Sequence, residues 1–90
     1  MTAVADHFAV RVMVTDVWDQ VFLPVEPTTT VAQLKKEALG KALRRAVRAD
    51  DYVVKFRGAE LLDETATLAA IGAGANAPFI VLPRRRQPVR

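Results

Sequence analysis

Ninety residues, 51% of them hydrophobic and none of them cysteine, suffice for one domain around one apolar core. They exclude a disulfide framework, a thiolate zinc site and a cysteine nucleophile. The net charge of +3 is unevenly placed: residues 84–90, RRRQPVR, hold four of the 13 basic residues, leaving nine basic against ten acidic before them.

MTAVADHF lacks the basic and apolar segments of a signal peptide, so residues 1–7 are expected to be a flexible N-terminus of a cytoplasmic protein. From Phe8 the pattern alternates. Phe8, Val10, Val12 and Val14 share one parity and Arg11, Met13 and Thr15 the other, as in a strand with one buried face. TDVWDQ interrupts the run with turn formers at Asp16 and Asp19. A second run follows, with Val21, Leu23 and Val25 inward and Phe22 and Pro24 outward, which predicts a β-hairpin. Pro24 lacks a ladder donor, so this strand belongs at an edge or at a position free of the ladder.

EPTTTVAQLKKEAL opens a helix. Thr30 and Gln33 have the capping-box spacing, in which each side chain meets the other residue's backbone amide. Val31, Leu34, Ala38, Ala42 and Ala46 fall on one face, with Leu39 and Leu43 at its border. Lys41, Arg44, Arg45 and Arg48 gather late, where positive charge suits the helix dipole, and the end is expected near 47–49.

YVVKFR predicts a third strand, with Val54 and Phe56 opposite in parity to Val53 and Lys55. Gly58 supplies a positive φ for a sharp turn, and AELL is long enough for one short strand. A brief helical turn around 68–71 and a glycine-containing loop lead to PFIVLP. In this last strand Phe79 and Val81 face the core and Ile80 and Leu82 face away. A hairpin, a crossover helix and further strands give an α+β fold, a β-grasp with a mixed sheet of four to five strands packed on one helix. Its boundaries are 8–83, with 84–90 as a basic C-terminal tail.

In this order and spacing, VFLPVEPTTTVAQLKKEAL and KFRGAELLDETATLAAIG resemble ubiquitin and its relatives over residues 8–86. The resemblance implies that Leu61 anchors the short strand. It also implies that Lys35, inside the apolar helical stripe, is partly buried and paired with Asp63. The alternative for Lys35 is a packed stem whose amine reaches water. Two departures bear on function. Conjugating family members end in Gly-Gly, whereas PRRRQPVR contains no glycine. The family's binding patch has an isoleucine where Lys55 stands here, with Val53, Ile80 and Leu82 as its neighbours. The small bacterial ubiquitin-like proteins associated with type VII secretion lack the Gly-Gly tail and are the suggested subgroup. The alanine, valine and arginine bias fits a GC-rich bacterial genome.

No enzyme chemistry is expected. His7 is the sole histidine, no His/Cys/Asp cluster has metal-ligand spacing, and GAGANA lacks the strand and helix that a phosphate loop needs. No cofactor, small-molecule substrate, specific nucleic acid or membrane span is implied. The expected state is a monomer with an unnamed protein partner. Trp18 either folds back onto the sheet as satellite core or anchors a partner together with Val53, Lys55, Ile80 and Leu82. Arg84, Arg85, Arg86 and Arg90 are either a solvated end or an electrostatic contact with an anionic surface or with nucleic acid. A modifier or sulfur carrier with a processed or atypical C-terminus is a further alternative.

Overall fold

The computed structural model describes residues 7–43 and 47–84. Strand β1 (Phe8–Val14) turns into β2 (Asp19–Val25), helix α1 (Val31–Leu43) crosses over, and a 3₁₀ turn (Ala49–Asp51) leads into β3 (Tyr52–Phe56). Two-residue β4 (Ala59–Glu60) and then β5 (Pro78–Pro83) complete one sheet of order β2-β1-β5-β3-β4. β1 and β5 are parallel and the other pairs antiparallel, so the sheet is mixed and α1 packs on one of its faces. This is the ubiquitin-like β-grasp arrangement expected from the pattern of elements.

The inward parities form the core. Val10, Val12 and Val14 of β1, Val21, Leu23 and Val25 of β2, Val54 and Phe56 of β3, and Phe79 and Val81 of β5 are buried against Val31, Leu34, Ala38 and Leu39 of α1. The Phe56 and Phe79 rings stack at 4.8 Å between centroids. Leu61 packs at the border of this core, but Leu62 is exposed.

The capping box forms as predicted. Thr30 N–H donates to Gln33 Oε1 at 2.9 Å, and Gln33 N–H donates to Thr30 Oγ1 at 3.2 Å. The remaining free amides of the first turn are met from the long loop after β4: Val31 N–H donates to Ala66 O at 3.0 Å and Ala32 N–H to Glu64 O at 2.9 Å. These bonds dock the loop onto the helix start, where a free amide would otherwise be unsatisfied. Val47 and Arg48 lie outside the helix, so the expected end near 47–49 is corrected to an earlier one. The Asp50–Asp51 pair belongs to the 3₁₀ turn instead. Ala46, Arg44 and Arg45 fall outside the described residues.

The β3–β4 hairpin has a two-residue loop, Arg57–Gly58, between the paired Phe56 and Ala59. Its φ values of 56° and 83° are both positive, the signature of a type I′ turn matched to strand twist. Gly58 thus has the conformation predicted for it. Arg57 occupies the same region without a glycine's freedom, with its guanidinium 5.0 Å from the Phe56 ring centre.

Candidate functional site: the uncovered sheet face

α1 covers one face of the sheet, and the outward parities make up the other. Register places these residues in rows: Met13 lies beside Ile80, and Ile80 beside Lys55, which faces Glu60 on β4. One row on, Leu82 pairs with Val53. Thr15, Val53, Lys55, Glu60, Leu82 and Arg84 border a shallow depression of 760 Å³ that also touches Pro83. Four of the residues singled out from sequence, Val53, Lys55, Leu82 and Arg84, therefore converge, and Ile80 adjoins them, 43% exposed. Val53 differs from expectation. It is on the outer face yet only 8% exposed, so it forms the floor of the depression rather than a free contact.

Trp18 does not fold back to complete a satellite core. It is 77% exposed and adopts φ 49° in the turn between β1 and β2. Left-handed backbone at a residue with a Cβ costs about 1–2 kcal/mol, and the exposed indole gains no offsetting burial within this chain. Trp18 does not border the depression.

The first arginine of the tail is tied to the fold. Arg84 N–H donates to Asp51 O at 2.7 Å and its Nε–H to Asp50 O at 3.1 Å, so the 3₁₀ turn fixes the exit from β5. Arg85, Arg86 and Arg90 lie outside the described residues. At the other end, His7 Nε2 lies 3.0 Å from Glu26 Oε2.

The pairing expected between Lys35 and Asp63 is corrected. Lys35 is 1% exposed, and its Nζ lies 2.8 Å from both carboxylate oxygens of Glu64 and donates to Tyr52 O at 3.0 Å. The loop register explains the choice: Glu64 O is already bound to Ala32 N–H, three residues before Lys35 on α1. Asp63 is occupied locally. Its Oδ1 accepts from the Thr65 hydroxyl and from the Thr65 N–H, and these two bonds hold its carboxyl below the usual carboxylate range. The Asp-x-Thr spacing was a readable signal for this local turn. The amine of Lys35 does not reach water, so the solvated alternative does not hold either.

Among the described residues no group of three or more His, Cys, Asp or Glu is arranged to hold a metal ion, and no helix is long and apolar enough to cross a membrane. Sequence reasoning missed Tyr52 and Asp16, whose side chains meet across the sheet end: Tyr52 Oη donates to Asp16 Oδ2 at 2.5 Å. It also left out Glu60, which supplies the acidic side of the depression.

No protein-family model and no curated protein matches the chain. Solved structures do. An ubiquitin of Caldiarchaeum subterraneum superposes with a TM-score of 0.74 at 18% identity, covering 91% of this chain and 99% of that one. A ubiquitin-like domain of an Arabidopsis thaliana protein gives a TM-score of 0.74 at 19% identity, covering 99% of this chain and 89% of its own. At these identities the likeness is one of fold, and the chain has the ubiquitin-like β-grasp fold.

Proposed function

We propose that this chain is a non-conjugated ubiquitin-like interaction module, not an enzyme, that binds a protein partner through the uncovered sheet face. The functional unit is the 8–83 domain. Lys55, Ile80 and Leu82 make the contact over the Val53 floor, and Trp18 is a second anchor. The observation that carries this reading is the half-exposed Ile80 and the partly exposed Leu82 beside a cation, on a sheet face that no described element covers. The partner it fits presents an apolar side chain to Leu82 and Ile80 with a carboxylate next to it, facing Lys55. Exposed aliphatic residues are common singly. Here they adjoin a depression and a charge, which favours a specific contact over a solvated face.

A bacterial, secretion-associated role rests on the sequence resemblance. Gene neighbourhood tests it: secretion ATPase genes support that role, and genes for an activating enzyme and a JAB-type protease support a modifier.

The binding surface is tested by capture from the source organism with Leu82→Ser, Lys55→Glu and Trp18→Gly as comparators. Proteins retained by the wild type should be lost from Leu82→Ser and Lys55→Glu, with losses of about 2 kcal/mol or more marking hot spots. All three variants should still unfold cooperatively. Undiminished capture by both sheet-face variants overturns the assignment of this face.

A further inference from the structure

The turn that presents Trp18 has little to hold it locally. Val17 N–H donates to Val14 O and Trp18 N–H to Thr15 O, each at 3.3 Å, beyond the usual range for such bonds. Its last residue has the left-handed backbone described above. Val17 and Trp18 are both exposed apolar side chains, 47% and 77%, so the turn gains little packing from them. Such a segment would ordinarily sample several conformations and would have to be ordered when a partner bound.

A contact from the far side of the sequence restrains it. Asp16, in this turn, accepts a hydrogen bond from the hydroxyl of Tyr52 36 residues later. Tyr52 is itself anchored in the fold: it is the first residue of β3, 7% exposed, pairs with Pro83 and accepts from the buried Lys35 amine at its carbonyl at 3.0 Å. One end of the phenol–carboxylate contact is thus fixed in the core and the other lies two residues before Trp18. A hydrogen bond to a carboxylate is among the stronger kinds available at a partly buried site.

We infer that Tyr52 is the positioning residue for Trp18: its hydroxyl, through Asp16, holds the β1–β2 turn in the conformation that projects the indole from the molecule. The inference rests on the reading of Trp18 as a partner contact and adds how that contact is prepared. The indole is displayed before the partner arrives, so less ordering remains for the binding step.

The test uses the full chain and needs no partner. Trp18 is the sole tryptophan, so its time-resolved anisotropy reports the turn alone. Amide exchange of Val17 and Trp18 is followed beside it. Tyr52→Phe and Asp16→Ala should each speed exchange at these two amides about tenfold, as the loss of one charge-assisted bond implies. Both should also widen the fast motion of the indole. The double variant should do no more than either single one, and Asp16→Asn, which keeps an acceptor oxygen but loses the charge, should fall between the wild type and Asp16→Ala. Amides of β1 and β5 should be unaffected. Asp16 is exposed, so Asp16→Ala keeps the test intact should Tyr52→Phe fail to fold. Unchanged turn dynamics in Asp16→Ala, additive effects in the double variant, or equal acceleration through β1 and β5 would overturn the inference. If these dynamics behave as expected while Trp18→Gly still captures the partner, the tether stands and the role of Trp18 in binding falls.

Discussion

Lys35 is a buried amine whose polar contacts are all met within the fold. Its stem fills the α1 stripe while its amine meets the Glu64 carboxylate and the Tyr52 carbonyl, so no ammonium proton donor is stranded among apolar atoms. Exchanging such a group for an apolar one of similar reach is often neutral or better, whereas removing only its partner leaves an uncompensated charge. Lys35→Met should therefore leave the unfolding midpoint in denaturant nearly unchanged. Glu64→Ala should lower stability, by less than the roughly 3–5 kcal/mol typical of a fully buried pair, because the Glu64 side chain is 25% exposed. Asp63→Ala should cost less than Glu64→Ala, since Asp63 serves only the turn with Thr65. Equal losses in the two acidic variants would refute the assignment of Glu64. The Asp63 contribution also has a sign in pH. Its folded-state pKa lies below the ordinary carboxylate value, so the stability it adds is present above that ordinary value and is lost as pH falls through the depressed one. The helix stripe in the sequence revealed that Lys35 is peculiar. The identity of its partner depended on how the loop after β4 seats its carbonyls on the first turn of α1, which no local pattern encodes.

At the scale of elements, β1 and β2 were readable from a clean period of two, α1 from the cap at its start, and β3 and β5 as short apolar runs, β5 bounded by prolines. The end of α1 was harder. The alanines and arginines at 42–48 continue a helix-compatible composition, while the structure has left the helix by Val47. The edge position of β2 was legible from Pro24, and the structure adds how that edge is guarded. Asn76 N–H donates to Ala9 O and Arg11 N–H to Ala77 O, so odd-numbered residues of β1 bond toward β5 and even-numbered ones toward β2. Val21 and Leu23, opposite Val12 and Val10, therefore take the ladder bonds, and Gln20, Phe22 and Pro24 turn their backbones to the open edge. Pro24 offers no N–H there, and Lys41 Nζ donates to Phe22 O at 3.0 Å. Both devices discourage another strand from pairing, beside a Phe22 side chain that is 51% exposed. Pro24→Val combined with Lys41→Ala should promote concentration-dependent self-association in sedimentation velocity, while each single change does so weakly. A double variant that stays as monodisperse as the wild type would show that the edge is protected by something else.

Across the whole molecule, the excess of basic charge lies in the sequence after residue 83, and that allows the two proposed modes of contact to be told apart. The first 83 residues hold nine Lys and Arg against ten Asp and Glu, and the last seven hold four arginines and no acid. Attraction of the tail to an anionic surface acts through solvent and is screened as the Debye length falls from about 10 Å at 0.1 M salt to about 3 Å at 1 M. Contact at the sheet face removes Ile80 and Leu82 from water and depends far less on salt. A chain ending at Pro83 also loses the bonds from Arg84 to Asp50 and Asp51, so Arg85→Gln with Arg86→Gln and Arg90→Gln is the cleaner comparison. In that variant, retention on heparin and binding to vesicles containing anionic lipid should fall sharply, while capture of the protein partner persists at 1 M salt. Leu82→Ser should do the reverse, keeping the salt-sensitive binding and losing the salt-resistant capture. If the arginine variant abolishes partner capture at every salt concentration and Leu82→Ser leaves it intact, the tail is the contact and the uncovered face is only the solvated side of the sheet.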